Sequence, residues 1–91
     1  MPGTEYEVTC ICAAWCDTCA DYRPGFDALA AEFPRARFRW LDTEDDAAEV
    51  GDLEIENFPT ILVRRGDSTL FFGPQPPAHD LLRRLLRELL S

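Results

Sequence analysis

The sequence predicts an α/β domain with the element order β-α-β-α-β-β-α, in which a mixed four-stranded sheet carries helices on both faces. Strand-like runs and a helical stretch alternate in the first half of the chain, as is typical of a right-handed βαβ crossover. Two further strand-like runs flank Arg65-Gly66-Asp67, which predicts a hairpin, and a leucine-rich helix follows. The 91 residues suit one domain, spanning positions 1–91.

The first strand and the first helix have the clearest patterns. Tyr6 to Cys12 reads YEVTCIC, a run of β-branched, aromatic and cysteine residues that suits a buried strand. An apolar stripe then predicts an amphipathic helix from Cys16 that ends before Pro34. Pro24 lies inside this helix and should kink it, because proline lacks an amide donor. The stripe consists of Tyr22, Phe26, Leu29, Ala30 and Phe33.

The second strand is predicted from an alternating pattern. Ala36 to Leu41 places Arg37 and Arg39 on one side and Phe38 and Trp40 on the other. An acidic stretch follows, with a short helix expected near its middle. We interpret this stretch mainly as a solvated face, although a loop after the second strand opens on the same sheet edge as Cys16 and could rim a site there. Its acidic residues are Asp42, Glu44, Asp45, Asp46, Glu49, Asp52, Glu54 and Glu56.

The closing elements are a hairpin and a helix. Thr60 to Arg64 and Thr69 to Phe72 are its predicted strands. Pro77 suits the first turn of the last helix, and His79 nearby is interpreted as a surface residue. The helix is predicted from a stripe of leucines, which are Leu81, Leu82, Leu85, Leu86, Leu89 and Leu90.

Composition and charge narrow the classes of function. The formal net charge of -8 should repel nucleic acid and anionic membranes, so neither is an expected partner. The start of the chain has no apolar leader, and no stretch is apolar enough to span a membrane, which predicts a cytoplasmic protein. We also expect it to be a monomer. In a reducing compartment the four cysteines are better explained by catalysis, metal binding or burial than by a structural disulfide frame.

The pair Cys16 and Cys19 is the candidate catalytic site. Cys16 lies where the first strand gives way to the helix, so its sulfur meets free backbone amides and the positive end of the helix dipole, which favour the thiolate. Cys19 follows one helical turn later on the same face and should be more shielded. We therefore expect Cys16 to attack a substrate disulfide and Cys19 to resolve the mixed disulfide. This chemistry needs an outside electron donor and no cofactor or metal.

Here the residues resemble a known family. Trp15 followed by the Cys16-x-x-Cys19 motif, with Pro24 five residues later, is similar to the active-site segment of the thioredoxin family. Phe58-Pro59-Thr60 resembles the family's cis-proline loop. The resemblance spans about residues 6 to 90 and implies a trimmed thioredoxin-like fold without the usual first strand and helix.

The resemblance also implies a protein-disulfide oxidoreductase and its binding residues. The backbone of Phe58, beside a cis Pro59, would pair with an extended substrate peptide, while the Phe58 side chain is either a core or a contact residue. Trp15, beside the nucleophile, is interpreted as a platform facing the substrate, with a core position as the alternative. Gly73 corresponds to a glycine after the last strand. The implied partners are proteins with disulfides and an electron donor such as a thioredoxin-reductase-type flavoprotein.

Three departures from the family pattern affect proton transfer. Asp17-Thr18 replaces the usual Gly-Pro between the cysteines, and the anionic Asp17 should oppose ionisation of Cys16. Cys10 replaces a buried acid that is thought to handle the proton of the second cysteine. Trp40 aligns with the lysine that often accompanies that acid.

The remaining cysteines leave alternatives open. Cys10 and Cys12 lie on one face of a strand and are interpreted as apolar packing residues, with exchange between Cys10 and Cys19 as the alternative. A binding or assembly module that grips a partner at the Phe58-Pro59 loop is a second function. A small metal carrier that uses all four cysteines is a third, although strand and helix directions make tetrahedral convergence doubtful.

Overall fold

In the described part of the chain, four strands and three α-helices follow one another in the predicted order. The computed structural model describes residues 6–13, 16–51, 59–75 and 78–90. Its strands are β1 (Tyr6–Cys12), β2 (Ala36–Asp42), β3 (Thr60–Arg65) and β4 (Ser68–Pro74). Its α-helices are α1 (Asp17–Leu29), α2 (Ala47–Val50) and α3 (His79–Leu89), and a 3-10 turn at Ala30–Glu32 extends α1. The predicted β-α-β-α-β-β-α order is therefore confirmed.

The sheet is mixed and has the strand order β2-β1-β3-β4. β1 lies parallel to β2 and antiparallel to β3, and the β3–β4 hairpin is antiparallel with a shift in register after Val63. The shared register places Cys10 opposite Trp40 on one side and Ile61 on the other. Because β1 is central, its end at Cys12 lies beside both the end of β2 and the start of β3.

The two faces of the sheet are covered unequally. Alternate residues of β1 point to the face that carries α1 and α3, where the main core forms. On the other face Ile11 and Leu41 pack with Val50 of α2 in a smaller cluster. The fully or nearly buried members of the main core are Val8, Cys10, Cys12, Cys19, Tyr22, Phe26, Leu29, Ile61, Val63, Leu82 and Leu86.

The leucine stripe of α3 is narrower than predicted. Leu82 and Leu86 are fully buried, whereas Leu81 is 41% exposed. Leu85, Leu89 and Leu90 are partly buried against the core, so they complete the face that packs on the sheet and α1. Among the described residues every helix is too short or too polar to cross a bilayer.

His79 is not the surface residue that the sequence suggested. Its ring stacks on Tyr22 with 4.6 Å between centroids, and its Nε2 donates to the Tyr22 carbonyl oxygen over 2.9 Å. Gly25 on α1 leaves the space for this ring, because a Cβ atom there would overlap it. His79 therefore fastens the start of α3 to the middle of α1.

Gly25→Ala should destabilise the protein by about 1–3 kcal/mol, because the added methyl group displaces the His79 ring from its stacked position. In a His79→Ala background the ring is gone, and the same substitution should stabilise by up to about 1 kcal/mol, since alanine favours helix over glycine. Urea unfolding of the four proteins in this cycle measures the difference. An equal effect of Gly25→Ala in both backgrounds contradicts the packing argument.

Candidate active site

Cys16 is the N-cap residue of α1, as predicted. Its backbone is extended, with φ -90° and ψ 110°, while the helix begins at Asp17. The Cys16 amide donates to the Ala13 carbonyl over 3.0 Å, and its own carbonyl accepts from the Ala20 amide over 3.2 Å. These two hydrogen bonds connect Cys16 to the residue after β1 and to the first turn of α1. Cys16 is a half-buried free thiol beside the unpaired amides of the first helical turn.

The disulfide in the structure joins Cys12 to Cys19, with 5.9 Å between their Cα atoms. The expected Cys16–Cys19 bond is therefore not the one present, and the interpretation of Cys12 as a packing residue is wrong. Cys12 ends β1 on the face that α1 covers, and Cys19 lies on the underside of the first turn of α1, so packing of the helix on the sheet brings the sulfurs together. The catalytic roles of Cys16 and Cys19 stay predictions.

Cys10 lies two residues before Cys12 in β1 and deeper in the core than the disulfide. Its Sγ is 3.7 Å from the Cys12 Sγ, and its side chain is fully buried. Burial raises the pKa of the Cys10 thiol to about 12, with Arg23 offsetting only part of the effect. The alternative thiol partner of Cys19 is thus Cys12 rather than Cys10, and Cys10 remains protonated at neutral pH.

A second neutral group lies near Cys10. The Tyr22 hydroxyl is buried and has no hydrogen-bond partner among the described residues. Burial raises the pKa of Tyr22, and Cys10 raises it further, so this phenol also stays protonated. Cys10, at the position where the family has a buried acid, is therefore a neutral thiol, and the nearby Tyr22 is a neutral phenol. Neither of them is a base for the Cys19 proton.

A cleft of about 500 Å³ opens beside Cys16. The loop after β2 supplies its acidic wall, and the Asp42 carboxylate orders this loop by accepting the amides of Glu44 and Asp45 over 2.8 Å and 3.0 Å. The expectation that part of the acidic stretch rims the site agrees with this arrangement. The lining residues are Ala13, Cys16, Ala20, Arg23, Trp40, Asp42, Asp45 and Asp46.

Arg23 is the site residue that the sequence reasoning missed. Its guanidinium lies 5.0 Å from the centroid of the Trp40 ring, and its Nε is 3.9 Å from the Asp27 carboxylate. A cation thus stands beside Trp40, the residue that aligns with a lysine in the family. Helical spacing is the signal that could have found it, because position 23 follows Cys19 by four residues and Cys16 by seven and so shares their face.

The other predicted site residues differ in how the structure places them. Pro59 is fully buried immediately before β3, and its carbonyl accepts the Gln75 amide over 3.1 Å. Because Thr60 pairs with Ile11, Pro59 lies beside the Cys12 end of β1. Gly73 lies within β4 opposite Ile61 rather than after the strand.

Four further predictions concern the neighbours of the dithiol and of Pro59. Asp17 and Thr18 are exposed in the first turn of α1, on the solvent side of the cysteines. Thr18 also lines a smaller cavity of about 240 Å³ with Asp21, Tyr22 and His79. Trp15 and Phe58, together with the peptide bond that precedes Pro59, lie outside the described residues.

No metal-binding group was found in the part of the chain that the structure describes. Within residues 6–13, 16–51, 59–75 and 78–90, no three histidine, cysteine or carboxylate side chains are arranged to hold an ion. The described cysteines are instead divided between one disulfide and two free thiols.

Solved structures of several thioredoxins superpose on the fold of this chain. Thioredoxin f from spinach chloroplast, in its long form, superposes with a TM-score of 0.83 at 22% identity, covering 99% of this chain and 74% of that one. Thioredoxin from Trypanosoma brucei brucei gives 0.82 at 22% identity, covering 98% and 79%. Thioredoxin from Plasmodium falciparum gives 0.83 at 17% identity, covering 96% and 84%.

These likenesses show the fold, and the sequence itself shows the family. A search of curated protein sequences finds no match to this chain. The family model described as Thioredoxin, however, matches residues 6–85. That range contains the four strands, α1, and the Cys16-x-x-Cys19 motif at the start of α1. The chain therefore belongs to the thioredoxin family.

Proposed function

We propose that this protein is a thiol-disulfide oxidoreductase that reduces disulfides of protein substrates, with Cys16 as nucleophile and Cys19 as resolving cysteine. One observation carries the proposal: a half-buried free thiol caps α1, and a cysteine able to form a disulfide lies one helical turn behind it. The N-cap position places Cys16 beside the first-turn amides of α1, which have no partner within the helix.

The number of disulfide bonds is the same before and after each step of the reaction. The Cys16 thiolate attacks one sulfur of the substrate disulfide, the other sulfur leaves as a thiolate that takes a proton, and a mixed disulfide forms. Cys19, as thiolate, then attacks the Cys16 sulfur, which releases the second substrate thiol and leaves Cys16–Cys19 oxidised. An electron donor such as a thioredoxin-reductase-type flavoprotein would reduce that bond and complete the cycle.

The surroundings of Cys16 favour positively charged protein substrates. Asp42, Asp45 and Asp46 line the cleft that Cys16 shares, and the chain carries a formal net charge of -8. A cationic segment beside a substrate disulfide would be attracted to this wall, most strongly at low salt. The Pro59 loop, with Phe58 and Trp15, would hold the peptide next to the substrate disulfide. We also propose that the reaction takes place in the cytoplasm.

Reduction of insulin disulfides with dithiothreitol as electron source tests the proposal. The protein should accelerate precipitation of the insulin B chain, and Cys16→Ser should lower that acceleration by more than about 100-fold, because no other exposed thiol replaces the nucleophile. A thermal unfolding curve of Cys16→Ser verifies that the variant is folded. Failure of the unmodified protein to accelerate the reaction would favour the binding or assembly module instead.

A further inference from the structure

The sulfur of Cys19 has two potential partners in this fold. The structure bonds it to Cys12 at the end of β1. Cys16 is three residues away at the N-cap of α1, and its side chain lies on the same helix face. A disulfide sulfur forms one such bond at a time, so an oxidised chain holds either Cys12–Cys19, with Cys16 free, or Cys16–Cys19, with Cys12 free.

We propose that Cys12 is a third redox-active cysteine, which exchanges Cys19 with Cys16, so that the domain has an outer oxidised form, Cys16–Cys19, and an inner one, Cys12–Cys19. The inference rests on the proposed exchange at Cys16 and Cys19 and adds a second resolving thiol to it. The structure represents the inner form, in which the nucleophile is already a free thiol.

The internal step is balanced without any outside reagent. In the outer form the Cys12 thiolate attacks the Cys19 sulfur, the Cys12–Cys19 bond forms, and the Cys16–Cys19 bond breaks. Cys16 leaves as a thiolate, and the proton that Cys12 lost to water is equivalent to the one that Cys16 can take up. One disulfide exists before and after the step, so the chain undergoes no net oxidation or reduction: Cys12 becomes a disulfide sulfur and Cys16 returns to the thiolate.

Burial gives the two forms different access to solvent. Cys12 is 1% exposed and Cys19 is 2% exposed, whereas Cys16 is only half-buried and lines the cleft. An outside thiol therefore cannot approach the inner disulfide in the folded protein. Reduction of Cys12–Cys19 must pass through Cys16, whose thiolate attacks Cys19 and returns the bond to the accessible outer position.

Cys10 does not take part in the same way. Its sulfur lies 3.7 Å from the Cys12 sulfur, on the same face of β1 and two residues earlier in the strand. Cys19 is bonded to Cys12 and not to Cys10, and burial keeps Cys10 a thiol at neutral pH. Cys10 is a packing neighbour of the relay rather than a member.

The inner form changes what the domain does to a substrate. Cys16 can still attack a disulfide and form a mixed disulfide, but Cys19 is occupied and cannot resolve it. A reductase cycle therefore stops at the covalent intermediate until an outside thiol cleaves the mixed disulfide at Cys16. Formation of Cys12–Cys19 converts a two-cysteine reductase into a one-cysteine capturing site.

Disulfide mapping of refolded variants tests the two pairings. Reduced, unfolded chains are refolded in a mixture of reduced and oxidised glutathione, quenched with acid, alkylated and mapped by mass spectrometry. Cys12→Ser should contain Cys16–Cys19, Cys16→Ser should contain Cys12–Cys19, and the unmodified protein should contain both. Cys10→Ala is the control and should keep the Cys12–Cys19 pairing. Absence of Cys12–Cys19 from both the unmodified protein and Cys16→Ser overturns the proposal.

The rate of reduction tests the route through Cys16. Dithiothreitol should reduce the Cys12–Cys19 bond of folded Cys16→Ser at least about 10-fold more slowly than that of the unmodified protein, because the internal attacker is missing. Equal rates overturn the relay. The proposed function can fail separately: a Cys12→Ser protein that forms Cys16–Cys19 but does not reduce insulin contradicts the reductase activity, while the pairings in the other variants still decide the relay.

Discussion

Pro59→Ala should remove most of the activity toward protein disulfides and spare most of the activity toward a small disulfide. Pro59 is fully buried where the chain enters β3, beside the Cys12 end of β1. Proline fixes the backbone there and offers no amide donor. Alanine adds an N–H group beside the Cys12 end of β1 and relaxes the backbone at position 59, so under the proposed docking role the pairing with a substrate strand is lost.

The expected loss is at least about 10-fold in kcat/KM toward insulin, the equivalent of one lost peptide-docking contact of about 1.4 kcal/mol. Reduction of an aromatic disulfide such as dithiobis(nitrobenzoate), which needs no strand pairing, should fall less than about 3-fold on the same scale. Pro34→Ala, at an exposed turn beyond α1, is the matched control and should change neither rate. Equal losses of activity toward both substrates would contradict a role of Pro59 in docking the substrate peptide. Unchanged rates toward both would show that Pro59 has no role in the site.

The element order could be predicted because local patterns and tertiary packing agree in this chain. The YEVTCIC run became the central strand β1, and Tyr22, Phe26 and Leu29 became the buried face of α1. The alternation of β2 placed Phe38 and Trp40 on the face that packs against α1. In each of these elements the apolar residues recur at the spacing of the face that is buried. The sequence alone was therefore sufficient to predict the type and order of the elements.

The cysteine pairing could not be predicted in the same way. Sequence spacing favours a disulfide between two cysteines three residues apart on one helix. It gives no information about which residues of the strand lie beneath that helix. Cys12 meets Cys19 only because β1 ends under the first turn of α1, a contact that depends on how the helix is set on the sheet. The contact between His79 and Gly25 was missed for the same reason, since 54 positions separate two residues that touch across α1 and α3.

The electrostatics of the site were predicted in part. The acidic loop follows β2, and the end of a parallel strand beside β1 had to open near Cys16, so topology was enough to place Asp42, Asp45 and Asp46. Arg23 was hidden among the polar residues of an amphipathic helix, where a charge is usually solvated. Its position over Trp40 depends on the rotation of α1, which the apolar stripe fixes only approximately.

Covalent trapping of a substrate tests the exchange at Cys16 and Cys19 most directly. The reduced Cys19→Ser variant, mixed with a protein disulfide and separated without reductant, should accumulate a complex that a thiol dissociates, because Cys16 attacks and nothing resolves the bond. Mass spectrometry should locate the linkage at Cys16. Cys12→Ser, also missing one buried thiol, retains Cys19 and should leave no such complex at the end of the reaction. A Cys19→Ser protein that forms no complex, or one linked through Cys10 or Cys12, would contradict the mechanism.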